Sequence, residues 1–232
     1  MKRFFKQATV EEDGSGYVVK LDGRSVKTPE KRQNICPNRA IAEAICAEWN
    51  AQGDEIKPAS MLITKMQNTA IDRVGARRAD LEDELVKYAG TDLLCYRADY
   101  PADLVARQET LWQPLLDWVL QTHDIALKST TGIIHVAQDD SEMDKFRDHI
   151  TGLDDFTLMA FYNITTLCGS VSIGLNVLGN NLTAEEAWAA AELDENYQID
   201  QWGLDDEAKT RQDNMKSELD AAIRFLELLR QT

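Results

Sequence analysis

Most signatures of catalysis are missing from this 232-residue chain. It has no phosphate-binding glycine loop, no G-x-S-x-G elbow, no H-E-x-x-H helix and no dinucleotide-binding glycine pattern, so the commonest nucleotide, hydrolase and zinc-protease chemistries have no foothold. Only three histidines occur, His123, His135 and His149, too far apart in sequence to suggest a metal cluster; each reads as a satisfied or solvent-facing side chain. Neither a metal nor a cofactor is expected. The four cysteines, Cys36, Cys46, Cys95 and Cys168, show no C-x-x-C spacing. The start, Met1 to Lys6, has no apolar signal core and no Arg/Ser-rich leader, so reduced thiols in a bacterial cytoplasm are the expectation. Basic residues are outnumbered 25 to 40, a formal charge of -15, which sets the bulk of the chain against nucleic acid and anionic membrane.

What is present is ordinary globular material, 44% hydrophobic and 28% charged, with length enough for one large domain or a small one plus a medium one. Charge is uneven: residues 1–40 hold nine Lys or Arg against five acids, which leaves a net -19 on the rest. Phe156 to Ala184 carries no charged residue and is long enough to cross a membrane. Its interior polar residues, Asn163, Thr165, Thr166, Ser170, Ser172 and Asn176, and its acidic flanks point instead to a buried central helix near 156–179, with no membrane insertion.

The first 37 residues read as a small β-rich domain. A candidate strand at Phe4–Val10 leads to a hairpin, Tyr17–Leu21 and Arg24–Thr28, around the type I′ signal Asp22-Gly23. Such a three-stranded meander must pack on something. From Asn38, a plausible N-cap, the period turns helical with Ile41, Ile45 and Trp49, stopping near Gly53. Helices are expected at Thr64–Arg73, Ala79–Cys95 and from Pro101, the last kinked or restarted at Pro114. Ser141-x-x-Asp144 and Thr183-x-x-Glu186 resemble capping boxes for Glu142–Ile150 and Ala184–Trp202. A last helix shows Ala208, Arg211, Met215, Leu219, Ala222, Leu226 and Leu229 along one face. The fold class is α+β, a small N-terminal β-rich domain, 1–37, packed on a larger all-helical domain, 38–232.

Chemistry concentrates in one stretch. Thr183 to Ala208 holds nine acids and no Lys or Arg, with Trp188, Tyr197, Gln198 and Trp202 among them. Acid plus aromatic suits a basic, partly apolar protein partner. The plainer alternative is that the tryptophans anchor a core and the acids solubilise. A different class is an enzyme using Glu195 with Glu192 or Asp205 as acid and base in an interdomain cleft, which requires burial to split their pKa values.

Seven stretches, in order, carry a family resemblance: RFFK (3–6), DGRSVKTP (22–29), AEAICAEW (42–49), ITKMQNTAIDR (63–73), YAGTDLLCYRADYP (88–101), RQETLWQPLLDW (107–118) and LDENYQIDQWGLDDEA (193–208). Over nearly its whole length the chain resembles the assembly chaperones that handle the α subunit of F₁-ATPase, known from mitochondria and alpha-proteobacteria. The resemblance implies a non-enzymatic protein in which a small β-rich domain accompanies a helical one. It also implies a client, the unassembled α subunit, shielded on its β-facing interface until the β subunit replaces it. The family's important acidic residue, just ahead of Tyr197-Gln198, falls on Glu195, and Gln198, Trp202 and Asp205 belong to the same motif, beside Glu192 and Tyr197. One departure is Met61-Leu62, where a Pro is expected between the two. The setting implied is the bacterial cytoplasm, against the mitochondrial matrix for eukaryotic relatives.

Overall fold

A computed structural model describes residues 1–231. In chain order it contains β1 (Ala8–Asp13), β2 (Gly16–Leu21), β3 (Arg24–Ser25), β4 (Ile35–Cys36), α1 (Arg39–Asn50), α2 (Leu62–Thr69), a π-helical turn (Ala70–Val74) and α3 (Gly75–Gly90). There follow β5 (Tyr96–Arg97), α4 (Ala102–His123), β6 (Thr130–Thr131), α5 (Asp140–Thr151), α6 (Asp155–Cys168), α7 (Val171–Leu178), α8 (Ala184–Ala191), α9 (Leu193–Trp202) and α10 (Asp206–Leu229). The class is α+β, with strands first and helices after. The chain forms two compact units: one of Met1–Arg78, Asp154–Ala160 and the segment from Ala221, the other of Ala79–Leu153 and Phe161–Asp220.

The first unit is built on a four-stranded sheet, one strand more than expected. β2 pairs along its length with β1, Ala8 opposite Leu21 and Asp13 opposite Gly16. Its other edge is shared by β3 and β4. The hairpin turn is of the anticipated kind, with φ of +47° at Asp22 and +82° at Gly23. The first strand begins at Ala8 rather than Phe4, because Phe4–Gln7 is held by other means. Asp22 accepts hydrogen bonds from the Lys6 and Gln7 amides, while the Arg3 guanidinium donates to the carbonyls of Phe5, Lys6 and Gln52. Those two amides hold the exposed Asp22 carboxyl below its ordinary range. α1 packs on β1 and β2 and buries Ile41, Ala42 and Ile45 completely.

Asn38 caps two helices at once. Its Oδ1 accepts from the Ile41 amide (2.9 Å) at the start of α1, and its Nδ2 donates to the carbonyls of Leu228 (2.8 Å), Leu229 (3.1 Å) and Gln231 (2.9 Å) at the end of α10. Glu48 serves α2 in the same way, accepting from the Ile63 and Thr64 amides and the Thr64 hydroxyl at 2.6 to 2.8 Å. α1 ends at Asn50, ahead of Gly53, through the backbone of Ala51 and Gln52.

The second unit is helical with one small exception. β5 and β6 form a two-stranded parallel pair, so the region past Asn38 is not purely helical as expected. Two-residue strands carry no readable period; Arg97 fixes this one, donating to the Leu94 and Gln108 carbonyls at 2.8 and 3.0 Å. α4 runs unbroken through Pro114 rather than restarting there. α5 begins at Asp140, and Ser141 lies inside the helix rather than capping it.

The uncharged stretch is two helices, not one. α6 ends at Cys168, Gly169 takes φ +64°, and α7 restarts from Ser170, whose Oγ accepts from the Ile173 amide. Beneath the restart lies Asp92, fully buried. Its carboxylate accepts from the Ser170 hydroxyl and from the Ser172 and Leu94 amides at 2.8 to 3.0 Å. Burial pushes its pKa up, and these donors offset only part of that rise. Every residue from Val171 to Val177 is buried, and no described helix is long and apolar enough to cross a membrane. All four cysteines are free, and burial pushes the Cys36 and Cys168 thiols up to about 12.

Candidate functional site

The acidic stretch divides into α8, α9 and the first turns of α10, where a single helix over Ala184–Trp202 was expected. Thr183 starts α8 with the anticipated capping box, and Glu192 stands at the break before α9. α9 is fastened to α4 by one side, its residues at three-residue intervals. Asp194 accepts from Gln108 Nε2 (2.7 Å), the Tyr197 hydroxyl donates to Asp103 (3.0 Å), and Asp200 pairs with Arg107 (3.1 Å), whose guanidinium also covers the Tyr197 ring. Trp112 adds a buried bond from its indole to the Ala190 carbonyl.

A second side of α9 meets α10. Glu192 accepts from Gln212 Nε2 (3.0 Å) and Glu195 from Arg211 (3.3 Å). Asp205 accepts from the Ala208 amide at the start of α10 (2.8 Å). Glu185, Asp206 and Glu207 occupy the first turns of α8 and α10, where the helix dipole favours negative charge. The acids of this stretch thus fasten helices as well as solubilise them. The residues sequence reasoning passed over are their counter-groups, Asp103, Arg107, Gln108, Arg211 and Gln212. Arg107 and Gln108 open one of the family stretches, which was the available signal.

Of the six residues singled out, the structure separates three kinds. Tyr197 is buried and anchors α9. Glu192 and Asp205 serve helix ends. Glu195, Gln198 and Trp202 remain open to solvent, Glu195 at 39% and its partner Arg211 at 62% side-chain exposure. Trp202 is 79% exposed, so it is not a core anchor, and Leu204 is exposed beside it. Between them Gly203 takes φ +85°, a turn that an L side chain would strain, and it projects both apolar groups from the α9–α10 elbow. A shallow groove of about 480 Å³, lined by Ala106, Thr110, Leu111, Ala189, Leu193 and Asn196 with Arg107 at its side, runs along the neighbouring face.

For acid–base chemistry, Glu192, Glu195 and Asp205 each have a separate partner, and all three lie in the second unit. Among the described residues no cluster of three or more His, Cys, Asp or Glu is placed to hold a metal. His123 and His149, distant in sequence, are ring neighbours 4.5 Å apart, with Trp118 against His123. Both are held below the ordinary histidine pKa by burial, His123 also by its partner's charge.

The family model described as ATP12 chaperone protein matches residues 2–120. A crystal structure of Atp12 from Paracoccus denitrificans superposes with a TM-score of 0.93 at 36% identity, covering 99% of this chain and 98% of that one. A structure from Agrobacterium tumefaciens superposes equally well, with 35% identity, 99% of this chain and 86% of that one. The mitochondrial protein atp12 of Schizosaccharomyces pombe is 25% identical over 231 residues, 94% of this chain and 79% of its own. The chain belongs to the ATP12 chaperone family.

Proposed function

We propose that this chaperone holds the unassembled α subunit of F₁-ATPase through the α9–α10 elbow and releases it when the β subunit takes over the same surface. The observation that carries the site is Trp202, an exposed indole set by Gly203 among half-exposed ion pairs. Isolated tryptophans of this kind dominate protein interfaces, while rim charges set encounter rate and register. The choice of α as client rests on the sequence resemblance. Release needs no nucleotide hydrolysis by the chaperone if β competes for the covered face. A free α subunit exposes apolar interface surface that would otherwise aggregate.

Co-expression with the organism's own α subunit tests this reading. Soluble α in a stoichiometric complex, displaced by added β, is the expected result; α that stays insoluble and uncaptured overturns it. Trp202→Ala should weaken the complex by about 2 kcal/mol, roughly thirtyfold. Glu195→Lys, which sets a like charge beside Arg211, should weaken it with less than about 1 kcal/mol of lost stability, since the pair it breaks is exposed.

A further inference from the structure

The first unit contains a groove of about 730 Å³ that no described side chain fills. Its floor is apolar and buried, formed by Ile56 and Met61, and Trp49 makes one wall. Three of the stretches that carry the family resemblance converge on it from distant parts of the chain: Val26 to Pro29, Trp49, and Thr64 to Arg73. The segment matched by the family model contains every lining residue of the groove except Met1 and stops short of α9.

The groove's polar groups are unevenly satisfied. The Asp72 carboxylate, buried, accepts from the Thr28 hydroxyl (2.6 Å) and the Glu30 amide (3.1 Å), so its charge is spent on tying the 28–32 loop to the helix. It reaches them from the π-helical turn, and such turns are rare and concentrate where a helix is bent to a task. The Trp49 indole N–H, by contrast, is buried without a partner. Asn68 accepts at its Oδ1 from the Asn34 amide (2.8 Å), which leaves its own Nδ2 donors on a half-exposed side chain. Among the exposed charged groups lining it, the cations Lys27, Lys65 and Arg73 outnumber the acid Glu30, which pairs with Arg32 (3.3 Å). An apolar slot with a half-exposed amide donor and a net positive rim calls for an acceptor and a negative charge.

We propose that this groove is a second client-binding site, which takes an extended protein segment with apolar side chains and at least one Asp or Glu. The segment's side chains would lie on Ile56, Met61 and Trp49, a backbone carbonyl would accept from the Asn68 side-chain amide, and its carboxylate would meet the cationic rim. The proposal rests on the chaperone reading in that the guest is a protein, but not on the elbow, nor on the client being α.

The test uses an array of overlapping 15-residue peptides spanning the organism's own F₁ α and β subunits, probed with the full chain. Affinities of the retained peptides are then measured by fluorescence anisotropy. Retained peptides should combine apolar and acidic residues. Ala59→Trp, a change at an exposed lining position that fills the slot, should weaken them at least about tenfold. Arg73→Glu should weaken them several-fold and reduce their salt dependence, and Trp202→Ala should leave them unchanged. Melting curves establish that each variant is folded; if Ala59→Trp is not, Arg73→Glu decides. An array with no bound peptide, or binding that both groove variants leave within about twofold, overturns the proposal. Failure to capture intact α with the groove response retained would remove the α reading alone. Capture of α with no groove response would remove the groove alone.

Discussion

The two units differ in charge as well as in construction, a sheet-based unit against a helical one. The first carries 16 Lys or Arg against 13 Asp or Glu, the second 9 against 27. Yet each is held by polar side chains serving helix ends: Asn38 and Glu48 in the first, Asp92, Ser170 and Thr183 in the second. Stability in both comes from satisfying backbone groups at breaks in the chain, whereas the charge difference concerns what each surface can meet. An acidic elbow with an exposed tryptophan and a cationic, apolar groove suit chemically different parts of a partner.

If helix-end satisfaction is what the units share, its removal should cost most where the group is deepest. Asp92→Asn replaces one of two accepting oxygens by a donor facing amide and hydroxyl donors in a site closed to solvent. It should lower unfolding free energy by about 3 kcal/mol or more, measured by urea denaturation. A loss under about 1 kcal/mol would mean that the site relaxes around the change. Asn38→Ala, in the first unit, should cost about 2 kcal/mol because it strips one amide and three carbonyls of their partner, though these lie nearer solvent. The same denaturation assay ranks the two.

A smaller effect should separate the units by pH. Unfolded, His123 and His149 titrate near the ordinary 6.5; folded, both are held lower. The stability they contribute as neutral rings is therefore present above pH 6.5 and lost as pH falls through that value toward their folded pKa values. Melting temperature should drop between pH 7 and 5, and a His123→Gln/His149→Gln double variant should flatten that drop. An unchanged slope would assign the acid sensitivity to other groups. Smallest of all, Lys209→Ala removes an exposed i,i+4 pair with Asp213 and should change stability by no more than about 0.5 kcal/mol in the same melts.

Much of the fold was legible because it depends on local pattern. The Asp22-Gly23 turn, the Asn38 cap, the capping box at Thr183 and the apolar faces of α1 and α10 all follow from residues within one or two turns of one another. Helix breaks were harder. Gly169-Ser170 interrupts an apolar run whose hydropathy gives no warning, because the compensation comes from Asp92, nearly eighty residues earlier. Glu192 likewise sits in a stretch of good helix formers, and its side-chain partner Gln212 lies twenty residues further on. Ser141 had a capping pattern without the geometry to use it.

The candidate site shows the same division. Composition located the acidic, aromatic stretch and put Glu195, Gln198 and Trp202 in it, and the ordered family stretches identified the lineage. Composition could not distinguish an acid that fastens α9 to α4, such as Asp200, from one open to solvent, nor tell that Tyr197 is buried and Trp202 is not. Nor could it bring Trp49, Thr28 and Asp72 to one groove or His123 to His149. Sequence by itself determined the class, the lineage and the local caps, since those depend on side-chain period and on groups a few residues apart. Tertiary structure alone decided which polar groups are spent on the fold and which remain for a partner, because that depends on the donors and acceptors that distant segments bring within 3 Å of one another.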